Sequence, residues 1–263
     1  MLKQRVITAS VLIAVLVGAA VLSKYALIAA AAVCAVGGAY EYSRLLTKNN
    51  RLGANLLLCA VSAATIVYSV FSEEYLFEIM LATVLVLFMT SLFKAHPDAE
   101  NSTFLVWGYI YTGLFMALAV RIILSDSGYF IILPAMAACA LCDTAAYFVG
   151  GKFGKHKLAP EVSPHKSVEG AVAGFFAAWL TYSLSGLIAA ETGISMAFFI
   201  AGGAVIGIVG QCGDLAASLV KRKFGVKDYG TVFPGHGGFL DRIDSYLFVF
   251  AAVYILCKVV IKL

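Results

Sequence analysis

The chain has 263 residues, 62% of them hydrophobic and 13% charged, with a formal net charge of +4. Soluble domains are about 45–50% apolar and about 25% charged, so this composition excludes an ordinary water-soluble fold and leaves an integral membrane protein. The expected fold is all-α: a polytopic transmembrane helical bundle forming a single membrane domain over 1–263, with no strand, no soluble extra domain and no nucleic-acid partner.

A bilayer core takes about 20 apolar residues per helix. Continuous apolar runs, rather than alternating ones, select helices over a closed barrel. In chain order they predict about nine spans, near 6–22, 25–40, 52–72, 75–93, 103–124, 129–149, 168–190, 195–213 and 243–261. Residues 1–22 have the Lys/Arg start of a signal peptide but no small-residue cleavage site, and read as an uncleaved first helix. Residues 1–125 carry few intramembrane charges and read as scaffold, with Glu73, Glu74 and Glu78 at an outer turn. Residues 126–263 read as the catalytic helices and cytoplasmic loops.

With the N-terminus cytoplasmic, fifteen Lys and Arg fall inside, Lys48, Arg51 and Lys94 among them. Only Lys24, Arg121, Lys258 and Lys262 fall outside. Cytoplasmic loops carry this excess. His96, His156, His165 and His236 join them on the inner side, making a cationic face that attracts anionic headgroups and soluble anions. The six cysteines lie in or at the ends of spans and predict no disulfide, and Cys139-x-x-Cys142 reads as packing. Gly170 with Gly174 and Gly203 with Gly207 predict close helix packing, with a homodimer interface as the second reading.

Three polar islands break the apolar pattern: LCDTAAYFVGGKFGKHK (141–157), SPHKSVEG (163–170) and SLVKRKFGVKDYGTVFPGHGGFLDRID (218–244). Asp143 lies inside the sixth span, where an ionisable group is costly and commonly functional. Asp214 ends the eighth span. If the helix continues, Ser218, Lys221 and Arg222 share its face. Asp241 and Asp244 point one way from the start of the ninth. Mg²⁺ takes hard oxygen ligands, usually one or two carboxylates plus substrate phosphates, and Asp214 and Asp241 suit it. Between them FPGHGGF (233–239) reads as a phosphate cradle, with Gly235, Gly237 and Gly238 giving an anion access to backbone N–H groups. Lys221, Arg222, Lys227 and Arg242 supply positive charge for a polyphosphate. The sequence has no G-x-x-x-x-G-K-[ST], no G-x-S-x-G and no H-E-x-x-H. An ion-coupled transporter would also bury aspartates, but needs no glycine turn among so many ionic partners. A CDP-alcohol phosphotransferase motif begins Asp-Gly, and no Asp here precedes Gly.

Ser218-x-x-Lys221-Arg222, Lys227-Asp228-x-Gly230, Phe233-Pro234-x-His236-Gly237-Gly238 and Asp241-Arg242-x-Asp244 together resemble the signature of the phosphatidate cytidylyltransferases, or CDP-diacylglycerol synthases. The resemblance extends upstream through Asp143-Thr144-x-Ala146-Tyr147-Phe148 and Ser163-Pro164-x-Lys166-Ser167-x-Glu169-Gly170. It implies transfer of a cytidylyl group from CTP to phosphatidic acid in phospholipid biosynthesis, Mg²⁺-dependent with a second cation left open. It also implies a bacterial inner-membrane location and a cytoplasmic active site. Asp214 and Asp241 would be metal ligands, with Asp143 and Asp244 as further ligands or as partners of the ligands. Lys221, Arg222, Lys227 and Arg242 would clamp phosphates, and His236 would donate to the pyrophosphate. Lys166 and Ser167 would contact the nucleotide, with Glu169, Ser218, Asp228, Gly237 and Gly238 completing the substrate-binding set.

Overall fold

Leu, Ala, Val and Ile in unbroken runs make helices wherever the backbone must satisfy itself in lipid, and that rule sets the architecture. The computed structural model describes residues 2–46, 52–92 and 99–262. Lys48, Arg51, Lys94 and His96, which enter the charge count above, lie outside the described residues. The helices are α1 (Leu2–Leu22), α2 (Lys24–Leu46), α3 (Leu52–Phe71), α4 (Leu76–Leu92), α5 (Ala99–Tyr109), α6 (Phe115–Leu124), α7 (Gly128–Phe153), α8 (Val168–Ile188), α9 (Met196–Lys223) and α10 (Leu240–Val260). A π-helical turn, Ile110–Leu114, joins α5 to α6 in one continuous rod. Six of these stretches are long and apolar enough to cross a membrane, as expected of an integral membrane protein, and three shorter apolar helices accompany them.

The described residues divide into two compact units. The first comprises 1–124 and 228–243. Here α2 packs on α3, α5 and α6, while α1 lies on α2 and α4 on α5. Its interior is pinned by aromatic rings on small residues: a Cβ at Gly108 would sit 2.6 Å from the Tyr42 ring. Lipid tails are as apolar as leucine, so such close packing, rather than water exclusion, holds membrane helices together. Arg121 ties α6 to the end of α3 and the following turn, donating to Ser69 O at 3.0 Å and pairing with Glu73 at 2.6 Å.

The second unit comprises 125–227 and 244–263. Here α8 lies between α7 and α9. A Cβ at Gly170 would stand 2.6 Å from Ala146 O, and one at Gly174 2.8 Å from Cys142 O. Likewise Gly203 abuts Trp179 O at 2.7 Å and Gly207 abuts Phe175 at 3.0 Å. Both glycine pairs are therefore filled by neighbouring helices of the same chain. Gly213 brings α9 equally close to the Asp244 and Ser245 backbone of α10.

One expectation needs correcting. The sequence reading has no strand, yet Lys157–Ala159 (β1) and Ser163–Ser167 (β2) form an antiparallel hairpin, pairing Lys157 with Ser167 and Ala159 with Ser163. The conditional reading of the helix at Asp214 is decided in favour of continuation: α9 runs on to Lys223 and stops at Gly225, whose φ of 66° is the left-handed turn that glycine adopts without strain.

Candidate active site

Because α9 continues past Asp214, its i+4 and i+7 neighbours fall on the same face. Ser218 Oγ lies 3.4 Å from Asp214 Oδ1 as a donor. Lys166 Nζ reaches the other oxygen of Asp214 from β2 at 2.6 Å. One turn further, Lys221 Nζ approaches Asp244 Oδ2 on α10 at 3.9 Å. The Asp244 carboxylate sits in the field of Asp214, Lys221 and Asp143, so these groups form one electrostatic cluster. Asp143 lies on the exposed side of α7, ten residues before its end at Phe153. Arg222 is exposed and donates through Nε to Val162 O at 3.3 Å, tying α9 to the hairpin turn.

The hairpin carries Lys166 on its second strand. Ser167 closes it as the N-cap of α8: extended at φ −121°, its hydroxyl accepts from Gly170 N at 3.2 Å. Glu169 accepts from Lys155 N at 3.1 Å and pairs with His156 Nδ1 at 2.7 Å, fastening the end of α7 to the start of α8. Both residues anchor the support of Lys166.

In the first unit the glycine turn is locked from within. His236 N donates to Phe233 O at 2.9 Å and Phe233 N to Gly237 O at 2.8 Å, with Gly235 and Gly237 at φ 77° and 79°. Asp241, 7% exposed, accepts through one oxygen from Tyr229 N at 2.8 Å and Gly238 N at 3.0 Å. Phe239 N and Leu240 N donate at 3.0 Å each to the two oxygens of Glu41 on α2. Several amides that a phosphate cradle would present are thus spent on two carboxylates. His236 Nδ1 is buried and has no hydrogen-bond partner among the described residues. Lys227, Asp228 and Arg242 are exposed.

Sequence reasoning missed Glu41. It is 5% exposed, and Gly37 and Gly38, one helical turn before it, receive Phe239 and Leu240: a Cβ at Gly37 would lie 2.7 Å from the Phe239 ring. The available signal was a carboxylate and a glycine pair at the end of an otherwise apolar span.

Among the described residues no three Asp, Glu, His or Cys side chains stand close enough to hold an ion unaided. Asp214 and Asp244 are nevertheless hard oxygen donors within one field, each balanced by a lysine. That donor set fits a divalent cation taken with one or two carboxylates while substrate phosphates complete the shell.

Residues 3–260 match the cytidylyltransferase family. The chain is 36% identical over 178 residues to the phosphatidate cytidylyltransferase of Bacillus subtilis, covering 67% of this chain and 66% of that protein. It is 41% identical over 131 residues to the protein of that name from Staphylococcus aureus strain COL, 50% of each. The Staphylococcus saprophyticus protein is 39% identical over 168 residues, 64% of this chain and 63% of its own. The matched regions span between half and just under two thirds of these relatives' lengths.

Proposed function

The chain belongs to the cytidylyltransferase family, and from that premise we propose that it transfers the cytidylyl group of CTP to phosphatidic acid, giving CDP-diacylglycerol and pyrophosphate. The observation that carries the reading is the ionic face of α9, where Lys166, Asp214 and Ser218 meet and Lys221 faces Asp244 in an otherwise apolar helical protein. A phosphate oxygen of phosphatidate forms a bond to the α-phosphorus of CTP. The bond from that phosphorus to the β-bridging oxygen breaks, and pyrophosphate leaves with the electron pair. A phosphomonoester has a second pKa of about 6, so the attacking oxygen is largely ionised at neutral pH and no general base is required. The protein's task is to hold two polyanions together and oppose the charge growing on the leaving group.

Lys166 and Lys221, now partnered by aspartates, would exchange those partners for phosphate oxygens, with Arg222, Lys227 and Arg242 adding positive charge around the nucleotide. Asp214, Asp244 and Asp143 would hold Mg²⁺, which when bound neutralises triphosphate charge. Asp241 is retained as a candidate ligand, oriented by the Tyr229 and Gly238 amides it accepts. His236, whose Nδ1 is buried without a hydrogen-bond partner among the described residues, would be the side chain of the turn that donates to the pyrophosphate. We place the chain in a bacterial inner membrane with nine spans, counting the six long apolar helices and the three shorter ones. Its N-terminus and reacting groups are cytoplasmic, where soluble CTP meets the phosphatidate headgroup. A homodimer has no support from the glycine pairs, which are filled within the chain.

The test is purified protein in detergent with labelled CTP and phosphatidate, with and without Mg²⁺. Labelled lipid should form only with the metal, and Asp214→Asn should lower kcat on the order of 10²-fold or more while the protein stays folded. No lipid product, or an Asp214→Asn rate equal to wild type, overturns the proposal.

A further inference from the structure

Glu41 presents a carboxylate 5% exposed near the end of α2, and its two oxygens accept from two backbone amides 198 and 199 positions away. Leu240 begins α10, and Phe239 precedes it. The first N–H groups of a helix have no partner within it, and a carboxylate there is favoured by hydrogen bonding and by the helix dipole. Such a cap normally comes from the preceding few residues. Here it comes from another helix, so capping α10 also fixes its start against α2. The surroundings are shaped around the carboxylate: a Cβ added to Gly230 or Gly238 would collide with it. Its neighbour Tyr42 stacks on Tyr229, ring centroids 6.2 Å apart. Three successive amides, 238 to 240, are thereby divided between two acids, Asp241 taking the first and Glu41 the next two.

We infer that Glu41 is a positioning residue for the reaction: by capping α10 from α2 it sets the orientation of Asp241, Arg242 and the His236 turn. It touches no substrate and acts through that segment. A misplacement of about 1 Å at reacting groups costs on the order of 10²-fold in rate, so one carboxylate remote from the chemistry can govern turnover. The inference rests on the proposed cytidylyl transfer for its kinetic consequence, not for its geometric one.

The experiment compares the full-length wild type with Glu41→Gln, which keeps shape but turns an amino group toward one of the two amides, and with Glu41→Ala. Two quantities are measured in detergent: hydrogen exchange of peptides covering 228–243, with α8 peptides as internal reference, and kcat and KM for CTP. In Glu41→Gln the 228–243 amides should exchange on the order of tenfold faster or more, as expected when one of their hydrogen bonds is lost, with α8 unchanged. kcat should fall on the order of 10²-fold while KM for CTP stays near wild type. If Glu41→Ala does not fold, Glu41→Gln alone carries the test. Unchanged exchange overturns the clamp. Faster exchange with an unchanged kcat overturns the positioning role and leaves a structural one. If wild type makes no lipid product the proposed reaction fails, and the exchange result still decides whether Glu41 holds the segment.

Discussion

Two glycines show how little room the locked turn leaves. Gly230 and Gly238 both face the Glu41 carboxylate so closely that a methyl group at either would overlap it. That carboxylate is held by two amides and cannot swing aside cheaply. Overpacking of this kind costs about 1–3 kcal/mol. Gly238→Ala and Gly230→Ala should therefore lower the thermal midpoint in detergent and slow product formation. Gly18→Ala, where nothing outside the local turn of α1 lies within 4 Å of the added carbon among the described residues, should lower neither, since alanine favours the helix over glycine. Equal midpoints for all three would mean that the segment yields freely at its contact with α2. The same crowding explains why Glu41 was hard to find from sequence. Its one local mark is the glycine pair a turn before it; its partners lie almost 200 positions downstream, and one acid at the end of an apolar run reads as an ordinary helix-end charge.

The helices themselves were legible because lipid imposes a single rule: an unbroken apolar run of sufficient length must satisfy its own backbone. The β1–β2 hairpin obeys no such rule. It is three residues against five, carries Pro164 and is followed at once by α8, so it has neither the alternation nor the length that marks a strand. Its meaning lies in what it supports, Lys166 beside Asp214 and Ser167 at the N-cap. Loss of an N-cap hydroxyl typically costs about 1 kcal/mol. Ser167→Ala should lower the thermal midpoint while leaving KM for CTP near wild type. A raised KM with an unchanged midpoint would instead make Ser167 a nucleotide contact, the role its sequence motif implies. The ionic face of α9 was legible in part. The spacing of Asp214, Ser218, Lys221 and Arg222 predicted a shared face, but not that the lysines would already be spent on aspartates.

Orientation belongs to the whole molecule, and it can be read chemically. With the native cysteines replaced, single cysteines at Lys24 and Lys227 probed with a membrane-impermeant maleimide should react on opposite faces. Lys227→Cys should label only in inverted vesicles and Lys24→Cys only in right-side-out ones. Labelling of both on one face would refute the proposed arrangement. The chain leaves its second unit after Lys227, contributes sixteen residues, 228–243, to the first, and returns at Asp244, one turn into α10. No single cut therefore separates the halves. A fragment lacking the N-terminal helices would leave 228–243 without its anchor on Glu41, and one ending before α10 would lose the Leu240 amide and Asp241 that hold the segment. Each unit is thus built from two separate stretches of the chain, so a truncation aimed at one unit also removes residues of the other.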